Sequence, residues 1–208
     1  MYYQKKILLL LFIGILFTSF KLINRTEKFV ETKVSELNDS SKSSMKDEIN
    51  AIKKLIKNTH YNNKLCFLID MRIESGKNRL FIYDFKSDKI IDEGLVAHGL
   101  GSETGITGKL KFSNTDNSLC TSLGKYSIGN SYYGKFGKAY KLYGLNKTNS
   151  NAYNRNIVLH KYYDVPYKEQ EKNICNSYGC PMVNEIFYKR IEKIIDNSEK
   201  KIVMDIYY

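Results

Sequence analysis

The stretch Ser177-Tyr178-Gly179-Cys180-Pro181 lies twenty positions downstream of a histidine that closes the apolar run Asn156-Ile157-Val158-Leu159-His160, and together they pair a nucleophile with a base. A thiol attacks a carbonyl only as thiolate. At an ordinary pKa of about 8.5 little of it is ionised at neutral pH unless a neighbouring imidazole takes the proton. Ile157, Val158 and Leu159 read as a buried strand, which predicts His160 at a strand end, where a rigid element meets an open cleft. Gly179 lets the backbone bend sharply. Pro181 fixes its own φ, offers no N–H and pushes Cys180 toward an extended conformation. Such a loop can aim consecutive amides, those of Gly179 and Cys180, at one point, as stabilisation of an oxyanion requires. Tyr178 is expected to wall the pocket. A lone free cysteine is more often a small buried hydrophobe; beside a placed histidine and a Gly-Cys-Pro turn it reads as a nucleophile.

Working outward, Leu65 to Asp70 and Arg79 to Asp84 read as strands around the turn Glu74-Ser75-Gly76-Lys77-Asn78, and Ile90 to Val96 as a third. The Gly- and Ser-rich region 99–124 reads as loop suited to a substrate rim, followed by short strands at Lys125 to Ile128 and Ala139 to Tyr143. Asn184 caps a helix through Asp196, with Ile186, Phe187, Ile191, Ile194 and Ile195 as its apolar stripe, and Lys201 to Tyr208 closes the sheet. Before all of these, Met45, Ile49, Ile52, Leu55 and Ile56 recur at helical spacing over residues 45–57, with Ser43 or Ser44 as N-cap. Seventeen Tyr and ten Phe against only two Pro favour β structure in the centre. The sum is a mainly β domain over residues 44–208 with flanking α-helices.

The N-terminus reads as an address. Lys5-Lys6 precede fourteen almost wholly apolar residues, Ile7 to Phe20, the length of a signal h-region and short of the ~20 that span a bilayer. Residues 1–23 are therefore a signal peptide or a signal anchor. Thr18-Ser19-Phe20-Lys21 is a poor cleavage site, and a snorkelling Lys21 would extend the apolar run through Ile23, so both readings stay open. Membrane association would run through residues 5–23, with the remainder outside the cytoplasm in the envelope or periplasm. No Cys precedes Cys66, which excludes lipid attachment to a signal cysteine. Residues 24–43 are a polar, flexible spacer. Thirty-three Lys and Arg against 22 Asp and Glu leave a net charge of +11. That charge fits a nucleic-acid footprint, an anionic envelope surface or simple Lys-rich usage. The scattered lysines and the export signal exclude the first.

At the Cys180 loop the chain resembles the L,D-transpeptidase catalytic domain (YkuD-like) family, and most closely its murein branch. The resemblance runs in order through Val96-Ala97-His98-Gly99, Gly101-Ser102, Phe112-Ser113-Asn114, Ser118 and Ser122-Leu123-Gly124-Lys125-Tyr126. It continues through Tyr133-Gly134-Lys135, Gly137, Leu142, Gly144-Leu145, Asn151-Ala152, Arg155, Ile157 to His160, Ser177 and Gly179-Cys180-Pro181. It covers roughly residues 45–208 and is specific. It implies a YkuD-like β-sandwich or mixed sheet. It also implies that Cys180 attacks the carbonyl between diaminopimelate and D-Ala of a peptidoglycan stem tetrapeptide, with His160 moving the proton and the Gly179 and Cys180 amides holding the oxyanion. A second stem's amine then resolves the thioester. Peptidoglycan stem peptides are the implied partners of a monomer without cofactor or metal. Water as acceptor would make it an L,D-carboxypeptidase, and a lipoprotein partner a linkage enzyme. A reading of another class is a non-catalytic peptidoglycan-binding envelope protein with Cys180 in a disulfide.

Departures from the branch pattern bear on the site. Lys161 follows the histidine where a small residue, commonly Gly, is usual, which leaves the third member of the relay open. Cys175-Asn176 stands where Gly-Arg is common, removing a guanidinium that could hold a substrate carboxylate; Arg155 is the remaining candidate. Tyr178 keeps the aromatic wall that a Trp usually forms. His98 either faces the same cleft and binds substrate or is a hydrogen-bonded structural histidine. Ser177, with nothing beside it to activate it, reads as support for the Cys180 loop. Cys66 reads as core and His60 as uninvolved, while Cys120 and Cys175 stay open. Cys175 with Cys180 as a disulfide, or His98, His160, Cys175 and Cys180 around zinc, are further possibilities; the spacings argue against a zinc knuckle. Sortases also place His before Cys, but with a longer gap and a following Arg that this chain lacks.

Overall fold

The computed structural model describes residues 45–57 and 59–208, so the expected signal segment 1–23 and spacer 24–43 lie outside the described residues. The chain divides into two units, Met1–Lys46 and Asp47–Tyr208, and the fold is that of the second. Its strands are β1 (Leu65–Asp70), β2 (Leu80–Asp84), β3 (Lys89–Gly94), β4 (Val96–Ala97), β5 (Gly124–Gly134), β6 (Gly137–Gly144), β7 (Val158–Lys161), β8 (Met182–Val183) and β9 (Val203–Tyr207). They form one mixed sheet in the order β3-β2-β1-β9-β5-β6-β7-β8-β4. Helix α1 covers residues 45–56 and α2 covers Glu185–Asp196. Among the described residues no helix is long and apolar enough to cross a membrane.

β1 reads Leu-Cys-Phe-Leu-Ile-Asp and is buried almost end to end, as a strand covered on both faces must be. Phe67 and Ile69 join Leu80, Ile82, Met204 and Ile206 in a core that α2 closes with Phe187, Tyr188 and Ile191. Removing the Phe187 ring would cost about 3–5 kcal/mol. Asn184 caps α2 by accepting from the Ile186 amide at 2.8 Å. The helix stripe differs from expectation at one position: Ile186 is 54% exposed, and Tyr188 turns inward to donate its hydroxyl to Lys138 O.

The opposite face belongs to α1, whose Ile49, Ile52 and Ile56 are buried. Glu48 and Asp205 both reach Lys125 Nζ, at 2.9 and 2.7 Å. Asp205 alternates with the core residues Met204 and Ile206, so it must face away from α2. Burial, then the neighbouring Glu48, push its carboxyl up to about 7 against the pull of Lys125.

Two further elements differ from the sequence reading. The run Ile90 to Val96 is divided: β3 pairs with β2 at one edge of the sheet, while β4 crosses to pair with β8 at the other. The strands expected at Lys125 to Ile128 and Ala139 to Tyr143 are instead one long hairpin. Its register shifts between Ile128 and Ser131, where a bulge carries the pairing past Gly129-Asn130. The extension brings Phe136, at the hairpin tip, over β7.

Candidate active site

β7 lies between β6 and β8, with His160 opposite Ala139 on one side and Met182 on the other. His160 is the third of the strand's four residues rather than its end, and it is 3% exposed. Its Nδ1 sits 2.9 Å from Lys161 O. A carbonyl only accepts, so Nδ1 carries the proton and Nε2 keeps its lone pair. The bond uses the main chain, which is why Lys161 serves where a smaller residue is common. Burial lowers the imidazole pKa, opposed by that carbonyl, and leaves His160 neutral at pH 7. The Phe136 ring stacks on the imidazole, centroids 4.7 Å apart and 19° from parallel.

Cys180 sits two residues before β8; the parallel register pairs His160 with Met182, so Cys180 continues that line opposite Val158, two residues before His160 on β7, and the His160 amide donates to Pro181 O at 3.4 Å. Among the described residues the thiol's hydrogen bond runs to Asn156 O at 3.7 Å rather than to the imidazole. Asn156 has φ 55°, a left-handed conformation that asparagine tolerates. Burial raises the thiol pKa, opposed by the Val158 amide and the charge of Arg155. The resting pair is thus thiol and neutral imidazole, not an ion pair. All four cysteines are free thiols, so no disulfide joins Cys175 to Cys180.

Gly179 holds φ at 114°, and a Cβ there would lie 2.9 Å from Cys120 O and 3.1 Å from Ile157 Cδ1, so only glycine fits. Its amide corrects the sequence reading: it donates to Ser177 Oγ at 3.0 Å and is therefore not a free oxyanion donor. Ser177 supports the loop in a second way, since its amide donates to His98 O and its carbonyl accepts from Leu100 N, sewing the loop to the chain beyond β4. Tyr178 is 75% exposed at the rim.

The L,D-transpeptidase catalytic domain matches this chain over residues 36–206, a span holding every residue of this site. The chain belongs to that family. Solved structures similar to it include a mutant of the helical cell shape determining protein Pgp2 from Campylobacter jejuni, at 14% identity and TM-score 0.46, with 71% of this chain and 48% of that one covered. An L,D-transpeptidase from Xylanimonas cellulosilytica follows at 11% identity and TM-score 0.37, covering 72% of this chain and 62% of that one. One from Mycobacterium smegmatis has 8% identity and TM-score 0.41, over 70% and 59%. The chain spans about half the length of the first of these structures. No curated protein matches the sequence.

Within this L,D-transpeptidase domain, Arg155 braces the rim instead of standing free for a carboxylate. Its Nη1 donates to Ser113 O and Ser122 Oγ at 2.9 and 2.5 Å, and its Nη2 to Ser118 Oγ and Cys120 O at 3.3 and 2.7 Å. Four acceptors from residues 113–122 thereby lock the rim loop against Gly179. His98 stands apart from the Cys180–His160 pair. Its Nδ1 accepts from Arg79 Nη2 at 2.8 Å and its Nε2–H donates to Glu103 Oε1 at 2.7 Å. It lines a cavity of about 250 Å³ with Arg79 and Glu103, whose walls include neither Cys180 nor His160. Burial, then the charge of Arg79, lower its pKa. Among the described residues no three His, Cys, Asp or Glu side chains gather to hold a metal ion.

Sequence reasoning missed Phe136 and Thr121, whose hydroxyl accepts from the Gly99 amide at 2.9 Å. Gly134, Lys135 and Gly137 were singled out around Phe136, but nothing in a local pattern says that a hairpin tip lands on a histidine 24 residues away.

Proposed function

We propose that the protein is an exported, cysteine-dependent peptidoglycan L,D-transpeptidase acting on stem tetrapeptides. The observation that carries the reading is the wiring of His160: Nδ1 is held by Lys161 O, and Nε2 is left as a base on the strand next to Cys180. Cys180 Sγ attacks the carbonyl that joins diaminopimelate to D-Ala while His160 Nε2 takes the thiol proton. Because thiol and imidazole both rest neutral, that transfer accompanies attack rather than preceding it. The Cys180 amide is the proposed oxyanion donor, in a loop whose shape Gly179 and Ser177 maintain. The C–N bond to D-Ala then breaks, His160 returns its proton to the departing amine, and a thioester remains on Cys180. An amine from a second stem attacks the thioester, loses a proton to His160 and regenerates the thiol. Export would bring the enzyme to this substrate, through residues 1–23. Tyr178, exposed at the rim, is proposed to contact the bound stem.

The test is incubation of the full-length chain, in detergent, with purified disaccharide tetrapeptides. Release of D-Ala with dimers cross-linked between third residues is expected, and a carbapenem should acylate Cys180. Tripeptides without dimers would assign the acceptor as water, making the enzyme an L,D-carboxypeptidase. Full turnover in Cys180→Ala would end the reading. Thiol mapping adds a second check: Cys180 should react with iodoacetamide faster than Cys66, Cys120 and Cys175, whereas a Cys175–Cys180 disulfide in purified active protein would point to the non-catalytic binding alternative.

A further inference from the structure

The aromatic contact on His160 continues into a second group of rings. Phe136, stacked on the imidazole, meets Tyr162 edge-on at 5.7 Å and 86°, and Tyr162 meets Tyr163 at 4.7 Å. These three rings, with Lys135, Lys161 and Glu185, line a cavity of about 350 Å³. Tyr163 is 80% exposed and Phe136 41%, although neither is needed to close the core. Lys161 Nζ and Glu185 Oε1 pair across the wall at 2.6 Å.

The chemistry of this lining narrows its occupant. A purely aliphatic group would strip water from two tyrosine hydroxyls and an ion pair without replacing their hydrogen bonds. A cation would be drawn to the ring faces but meets two lysines against one carboxylate. What suits flat apolar faces edged by donors and acceptors of both kinds is a ring with the same division: C–H groups on its faces and hydroxyls on its edge. That is a pyranose. Position agrees, because the three stem residues between the sugar and the scissile carbonyl reach about 10 Å when extended, and the cavity begins one ring stack from His160.

We infer that the cavity formed by Phe136, Tyr162 and Tyr163 is a saccharide subsite, holding a sugar of the glycan strand from which the stem peptide hangs. The inference rests on the transpeptidase reading for the identity of the stem, and it deepens that reading by making the glycan part of the recognised substrate.

The experiment compares D-Ala release by the full-length chain from a free tetrapeptide and from the same tetrapeptide on its disaccharide. The disaccharide form is expected to have a kcat/KM higher by about tenfold, mostly through KM, as loss of a good contact typically changes specificity. Tyr163→Ala should bring the ratio of the two values close to one, while Tyr133→Ala, a substitution of an equally exposed tyrosine outside the cavity, should keep the ratio of the parent. In parallel, binding of the disaccharide alone to Cys180→Ala protein is followed by NMR chemical shifts, and it should vanish when Tyr163→Ala is added. Equal kcat/KM for the two substrates, or a ratio that survives Tyr163→Ala, overturns the subsite and leaves the transpeptidase reading standing. Failure to turn over either substrate counts against the transpeptidase reading, and the binding arm then decides the subsite: no shifts, or shifts that persist in Tyr163→Ala, overturn it.

Discussion

Two histidines of this chain are equally buried, each 3% exposed, and burial lowers the pKa of both, yet their hydrogen bonds differ. His160 has one nitrogen on a backbone carbonyl and, among the described residues, no hydrogen bond on the other. His98 has both nitrogens engaged, accepting from Arg79 and donating to Glu103. A proton shuttle needs a nitrogen that can exchange its proton with a substrate; a strut needs both nitrogens tied. Burial and a depressed pKa are common to both rings, so what separates them, and what the proposed base role rests on, is the hydrogen-bond inventory of each ring. The same holds for the two arginines: buried Arg79 and half-buried Arg155 are each committed to protein acceptors, and both hold loops rather than ligands.

The most severe way to break the contrast is to delete each ring in turn. His160→Ala and Cys180→Ala should each lower kcat/KM by about 10³ or more, as members of one catalytic unit do, with far-ultraviolet circular dichroism unchanged. His98→Gln should lower it less than tenfold. A His98→Gln protein as inactive as His160→Ala would move the base role to His98.

The next effect is on stability. His98→Ala removes the acceptor from one nitrogen of the almost fully buried Arg79, and should cost about 1–3 kcal/mol by leaving a buried donor unpaired. For a domain of this size that lowers Tm by roughly 2–4 °C per kcal/mol. Thermal unfolding of the purified protein checks it, and a Tm equal to that of the parent would mean that the network contributes nothing.

A pH profile sharpens the comparison further. In the proposed mechanism His160 is the group whose neutral form is needed, and burial holds its pKa below the usual value of about 6.5. The acid limb of kcat/KM should accordingly fall below pH 6.5, so that the enzyme stays active in mildly acidic solution. An acid limb above 7 would mean that the working pair is an ion pair instead.

The smallest effect concerns α1 and Asp205. The folded-state pKa of Asp205 is raised to about 7, so its contribution to stability is complete below the ordinary carboxyl pKa and is lost as pH rises through about 7. Asp205→Asn should flatten the fall in urea midpoint between pH 5 and 7, and a slope identical to the parent's would assign the pH dependence elsewhere.

Much of the fold was legible because local patterns carried it. The apolar run Leu65 to Asp70 carries β1 at its observed bounds, and the Asn184 cap with a helical period carries α2 to Asp196, because a cap and a period are properties of neighbouring residues. The run Ile90 to Val96 looks like one strand in sequence because apolar character alone does not record a change of partner: residues up to Gly94 pair with β2, and Val96 pairs across the molecule with β8. The hairpin 124–144 is longer than its sequence pattern suggests because Gly129, Asn130 and Ser131 break the alternation, and only the pairing partner reveals a bulge within a continuous strand.

For the site, residue types and spacing along the chain determined the chemistry on offer: a thiol in a Gly-Cys-Pro loop, a histidine on an apolar strand, a glycine where φ is positive. What tertiary structure alone decided is which polar groups remain free. It gave the Gly179 amide to Ser177, Arg155 to the rim residues 113–122, and both nitrogens of His98 to Arg79 and Glu103, while it left His160 Nε2 open and laid Phe136 across its ring. The bonds of Arg155 to the rim and of Arg79 to His98 join residues far apart in sequence, and hydrogen bonding is a competition among all groups within reach. A sequence names the competitors; folding determines which of them are within reach of one another.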